Sequence, residues 1–130
     1  MSRSLELARN SLGRVVALLI DRPLGSRHPR HGFLYPVNYG YLPGTLAPDG
    51  EALDAYVLGI SRPHETFSGI AVAIIHRVDG DDDKLVVTPA GLMLTDAQIM
   101  DAVAFQEQFF KSSVVRQKYL TGKAVPELAL

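Results

Sequence analysis

The sequence predicts a mainly β, α+β domain: a small closed or sandwich-like β unit with one helix packed on it late in the chain. Three observations carry this. Short β-branched and aliphatic runs recur at residues 15–20, 55–60, 67–78 and 85–88, each bounded by Gly, Pro or Asp, which is how strands and their turns are written. A strong helical period begins only after Thr95. The 130 residues show no internal repeat and no low-complexity segment, so residues 1–130 read as a single domain.

Taken in order, residues 1–13 are polar with a few leucines and close on Gly13, a short or frayed helical lead. VVALLI at 15–20, ended by Asp21 and Pro23, has the pattern of a strand buried on both faces. Residues 23–36 are punctuated by Pro, Gly and His and read as an irregular loop, bringing Arg27, His28, Arg30 and His31 close to Arg22. AYVLGI at 55–60 is a second strand, and 67–78 a third in which Gly69 marks a bend or bulge. DGDDD at 79–83 is a hairpin tip, with LVVT at 85–88 as the return strand. Thr95 and Gln98 make a capping box, and Asp96 suits the positive end of a helix. Ile99, Ala102, Val103 and Phe110 recur on one face, broadened by Phe105 and Phe109, so the helix should run to about residue 111 or 112. The tail, 113–130, has mixed polarity and reads as a short helix or a frayed end.

Composition excludes several functions. A 47% apolar and 21% charged content is that of a soluble globular chain, and a formal net charge of −1 supplies no broad field for nucleic acid or an anionic membrane. Without cysteine there are no disulfides, thiolate metal sites or thiol catalysis. MSRSLELARN lacks the apolar core of a signal peptide, and no apolar run is long enough to span a bilayer, so a cytoplasmic protein is expected.

The chemistry concentrates in residues 35–54, YPVNYGYLPGTLAPDGEALD. Tyr35, Tyr39 and Tyr41 bring phenolic donors, and Asp49, Glu51 and Asp54 crowd carboxylates into one short loop. Like charges this close repel unless a cation or basic side chains neutralise them, which suggests a hard divalent metal. Pro48, Asp49 and Gly50 also fit an ordinary solvated turn, and spacing alone does not choose between the two. The four histidines do not form a closed ligand set for zinc.

This segment resembles the central stretch of the soluble family I inorganic pyrophosphatases, in which a YPxNYGY strand leads into an acidic DxDPxD loop. VDGDDDKLVVTP resembles the family's following hairpin and FQEQFFKSS its closing helix. The resemblance implies a five-stranded OB-like closed β-barrel with a C-terminal helix packed on it, and a Mg²⁺ site at the barrel mouth, with Mn²⁺ not separable from Mg²⁺ by carboxylates alone. By matching positions it implies that Asp49, Asp54, Asp79 and Asp82 bind metal and that Glu51 activates water. Tyr39, Lys84 and Lys111 would hold phosphate oxygens. Arg27 falls at the phosphate-binding arginine if the loop aligns without a gap, with Arg22 and Arg30 in contention. An assembly of identical subunits is also implied.

The chain departs from the pattern as well. Glu51 stands where the family has Asp, Ala52 where it usually has Pro, and Phe110 where a tyrosine would donate to phosphate. Residues 15–20 hold no counterpart of the family's paired lysine and glutamate, the loop from Asp79 to Asp82 is short, and the N-terminal segment bearing a further glutamate reads as truncated. Metal-assisted hydrolysis of inorganic pyrophosphate to two phosphates is therefore the expected activity. A hydrolase of another small phosphate compound, and a non-catalytic barrel binding phosphate ligands or nucleic acid, stay open beside it. Against nucleic acid stand the net charge, the acidic mouth and the lack of aromatics interleaved with Lys or Arg.

Overall fold

One strand with two partners closes the sheet. In a computed structural model that describes residues 3–45, 52–78, 80 and 82–117, a short helix α1 (Arg3–Arg9) precedes β1 (Val15–Arg22). β1 pairs antiparallel with both β2 (Asn38–Leu42) and the first residues of β4 (Thr66–Arg77). Between those partners run β3 (Leu53–Val57) and β5 (Lys84–Thr88), parallel to each other. The order β1-β2-β3-β5-β4 and back to β1 is the five-stranded, OB-like closed barrel that the resemblance implied. Helix α2 (Asp96–Glu107) packs on its outside, and β6 (Ser112–Val115) extends the far end of β4.

The lead is helical, and it is anchored: Leu5, Ala8 and Leu12 are buried among Val16, Leu18, Leu53, Ala55, Val57, Leu85 and Val87. Apolar residues at this spacing drop into the barrel interior and close one end of it. A second core, built from Tyr39, Tyr56, Leu58, Ala73, Ile75 and Val86 with Ile99 and Val103 of α2, lies on the opposite side of β3, β4 and β5. Alternate residues of β3 and β5 thus bury opposite faces, which is why both runs are continuously apolar.

The structure corrects five expectations. β1 is buried on one face, with Val16 and Leu18 inside while Val15 is 71% and Leu19 41% exposed; an antiparallel strand covered on one side only can still carry aliphatics outward. β3 starts two residues before the expected run, at Leu53. Gly69 is no bulge but a close approach, since a Cβ there would collide with the Thr88 carbonyl. The helix stops at Glu107, with Gln108 as its C-cap, so Phe110 lies beyond it, 48% exposed. The first tail residues form β6.

The register break sits instead between Ala71 and Ala73, and it has a consequence. Ala71 faces the interior, yet so does Ile74, while Ala73 and Ile75 face α2. An extra residue flips the alternation of the strand's second half. Arg77, in phase with Ala73 and Ile75, is thereby aimed at α2 and the cleft beside it.

Candidate active site

Strand register assembles the site. β3 and β5 run parallel with Ala55 beside Leu85, which sets Asp54 beside Lys84. Ile75 pairs with Lys84, so Arg77 and Asp82, two residues further along each strand, meet on the same face. Tyr39 pairs with Tyr56, close enough diagonally for its side chain to reach Asp54.

The result is an alternating chain of charge. The Tyr39 hydroxyl donates to Asp54 Oδ2 at 3.0 Å. Lys84 Nζ donates to the same oxygen at 3.2 Å and to Asp82 Oδ1 at 3.0 Å. Arg77 Nη1 donates to Asp82 Oδ2 at 2.7 Å, and its Nε and Nη2 grip Glu107 bidentately at 3.0 and 2.7 Å. Glu107 also accepts from Tyr56 and Ser112, each at 2.6 Å.

Burial tunes these groups. It pushes the Tyr39 hydroxyl well above the ordinary tyrosine value, and the carboxylate of Asp54 adds to the rise, so Tyr39 remains a donor. Burial alone would raise Glu107, but hydrogen bonds from Arg77, Ser112 and Tyr56 outweigh it and hold the carboxyl below its usual range. For Arg77 burial works to lower the value and Glu107 reverses it, leaving the guanidinium more firmly charged.

Asp54, Lys84, Arg77 and Tyr39 line a cleft of about 690 Å³, together with Asp21, Arg22, the rings of the 23–36 loop, and Phe109 and Phe110. Lys111 lies on an adjoining depression that shares Arg77, Phe109 and Phe110 with it and also holds Asp82. Of the arginines in contention, Arg22 is on the cleft, whereas Arg27 donates to the Gly32 carbonyl at 2.6 Å and is not among the lining side chains. Asp49, Glu51 and Asp79 lie outside the described residues.

Three groups of this site escaped the sequence reading. Glu107 follows Ile99 and Val103 at four-residue intervals, a carboxylate on the buried stripe of α2; that spacing was the available signal. Arg77 ends the α2-facing series Ala73, Ile75, but only after the bulge resets its phase. Asp21, the residue that closes the VVALLI run, faces the cleft, where burial raises its carboxyl, Arg22 partly counters this, and the charge of Asp54 adds to the rise.

The donor chemistry fits a hard divalent ion in part. Asp54 and Asp82 offer anionic oxygens on side chains 37% and 49% exposed, the ligand type that Mg²⁺ and Mn²⁺ prefer. Among the described residues no three potential ligands cluster, so Asp49 and Asp79 would have to complete the set.

Fold and cleft together define a pyrophosphatase-like barrel. The family model described as inorganic pyrophosphatase matches residues 9–119, and the chain belongs to that family. It is 42% identical over 62 residues to the inorganic pyrophosphatase of Aeropyrum pernix, covering 43% of this chain and 34% of that protein. The corresponding protein of Nostoc sp. is 39% identical over 80 residues, covering 56% and 43%. These alignments span about a third to less than half of the relatives' own length. The crystal structure of the inorganic pyrophosphatase from Ehrlichia chaffeensis superposes with a TM-score of 0.65 over 82% of this chain and 88% of that one, at 16% identity, which establishes the fold alone. No helix among the described residues is long and apolar enough to cross a membrane.

Proposed function

We infer that the chain hydrolyses inorganic pyrophosphate to two phosphates with Mg²⁺, or Mn²⁺, held in the cleft on the α2 side of the barrel rather than inside it. The observation that carries this reading is Lys84 bridging Asp54 and Asp82 within reach of Tyr39, in a chain whose residues 9–119 match the family model. Asp54 and Asp82 would hold metal together with Asp49 and Asp79. Bound divalent ions neutralise phosphate charge and lower the pKa of a coordinated water.

The chain's own residues do the remaining work. Glu51 takes the proton of the attacking water, one methylene further from its backbone than an aspartate would be. Lys84, buried and already balancing two carboxylates, places a fixed positive charge where phosphate oxygens arrive. Tyr39, kept protonated by its surroundings, donates beside it. Arg22 and Lys111 add positive charge from the cleft and its rim; Arg27 can join them only by leaving the Gly32 carbonyl. Family membership also supports a cytoplasmic homo-oligomer. The test is phosphate release from pyrophosphate by the purified protein: EDTA should stop it and Mg²⁺ restore it, whereas turnover indifferent to EDTA would sink the metal-assisted reading.

A further inference from the structure

The charged groups occupy only part of the cleft; the rest is a wall of rings. The imidazole of His28 lies 4.7 Å from that of His31 and 4.8 Å from the ring of Phe33. His31 and Phe33 are within 9° of parallel. Tyr35 continues the series, 6.1 Å from His28 and 5.6 Å from Tyr39, so the rings lead directly to the hydroxyl that holds Asp54. Phe109 and Phe110, 67% and 48% exposed, line the same cleft, and the Arg77 guanidinium lies 3.6 Å from the centroid of the Phe110 ring.

The wall is preorganised. His28 Nδ1 accepts the backbone N–H groups of Arg30 and His31, both at 3.1 Å, which requires a lone pair there and fixes the ring plane. Partial burial and the charges of His31, Arg22 and Arg30 lower its pKa accordingly. A neutral, fixed imidazole beside Phe33 is a stacking surface. Two linked phosphates have no use for one, and a cleft of about 690 Å³ falls in the range of roughly 300–1,000 Å³ that takes ligands of drug size.

From this ring wall beside the Asp54, Lys84 and Arg77 charges, we propose that the cleft also accepts a nucleoside diphosphate, its base stacked on the wall and its terminal anhydride at the charged end. This rests on the phosphoanhydride-hydrolase reading above and names a further substrate class for the same site. In the reaction the oxygen of water bonds to the terminal phosphorus. The bridging P–O bond breaks with its electron pair left on the nucleoside monophosphate, and the water protons go to the products and solvent.

The experiment compares ADP with pyrophosphate as substrates, and AMP with inorganic phosphate as equilibrium ligands, for the wild-type chain, Phe109→Ala and His31→Ala. Both substituted residues are exposed, so thermal unfolding should match wild type and any loss reads the site. ADP should be cleaved with a kcat/KM within about tenfold of pyrophosphate. The ADP-to-pyrophosphate ratio should fall about five- to a hundredfold in either variant, the worth of one stacked base. Pyrophosphate cleavage with ADP slower than that, or a ratio unmoved by both variants, overturns the nucleotide proposal and leaves the hydrolase reading standing. If neither compound is cleaved, the hydrolase reading fails and binding decides. AMP held more tightly than phosphate, and weakened by the variants, supports the stacking wall; equal affinities overturn it.

Discussion

Lys84 Nζ sits between Asp54 and Asp82, 3.2 Å from one carboxylate and 3.0 Å from the other, although its side chain is only 4% exposed. A buried ammonium held by two carboxylates is a preorganised positive charge. Lys84→Met keeps the aliphatic stem and removes that charge. It should lower kcat/KM for pyrophosphate by about 10²–10³, as loss of one preorganised stabilising donor does, while the cooperative unfolding transition persists. Steady-state kinetics beside a thermal melt separate the two effects.

Tyr39 tests the same site from the side of hydrogen bonding. Tyr39→Phe keeps the ring packed against Tyr35 and Tyr56 and deletes the donor to Asp54. Hydrogen bonds to charged groups contribute about 1.5–3 kcal/mol, so kcat/KM should fall roughly ten- to a hundredfold. An unchanged value would remove Tyr39 from the site.

Glu107, buried behind the cleft, holds Arg77, which lines it. Glu107→Ala leaves a buried guanidinium with Asp82 as its remaining carboxylate, and breaking such a pair costs about 3–5 kcal/mol. Urea unfolding should show that loss; less than about 1 kcal/mol, the scale of an exposed pair, would mean the pair is solvated.

The same pair sets an acid limit. The folded state holds the Glu107 carboxyl below its usual range, hence below its value in the unfolded chain. Its contribution is therefore fully present above the unfolded carboxylate value of about 4.3 and is lost as pH falls from there through the folded value. The urea midpoint of the wild type should drop in that window more steeply than that of Glu107→Gln. Parallel curves would contradict the assignment.

How much of this could be read in advance follows from where each signal lies. The capping box of Thr95 and Gln98 is local, and both reciprocal bonds are present. The barrel was legible through the YPVNYGY segment. The reason its Gly40 must be glycine is not local, because a Cβ there would collide with the Leu19 carbonyl and lie 2.8 Å from Ile20 Cα across the strand pair. Likewise β6, four residues of SSVV, exists because the upper end of β4 offers it an edge. Phe110 shares a helical period with Ile99 and Val103 but lies past the end of α2, and Phe105 fills the place against Tyr35 and Tyr56. Arg22 rather than Arg27 reaches the cleft because β1 extends two residues beyond its apolar run. Arg77 depends on a bulge that no residue type announces.

The most direct measurement is phosphate release from pyrophosphate with and without Mg²⁺, for the wild-type chain and Asp54→Asn. The substitution keeps the shape of the residue that Tyr39 and Lys84 both touch and removes its charge. Mg²⁺-dependent turnover that falls by at least about a hundredfold in the variant is the expected result, and turnover by the wild type would show that glutamate at position 51 is compatible with the reaction. Turnover that persists in Asp54→Asn, or its absence from the wild type with Mg²⁺ present, would contradict the account of this cleft as a pyrophosphate-hydrolysing site.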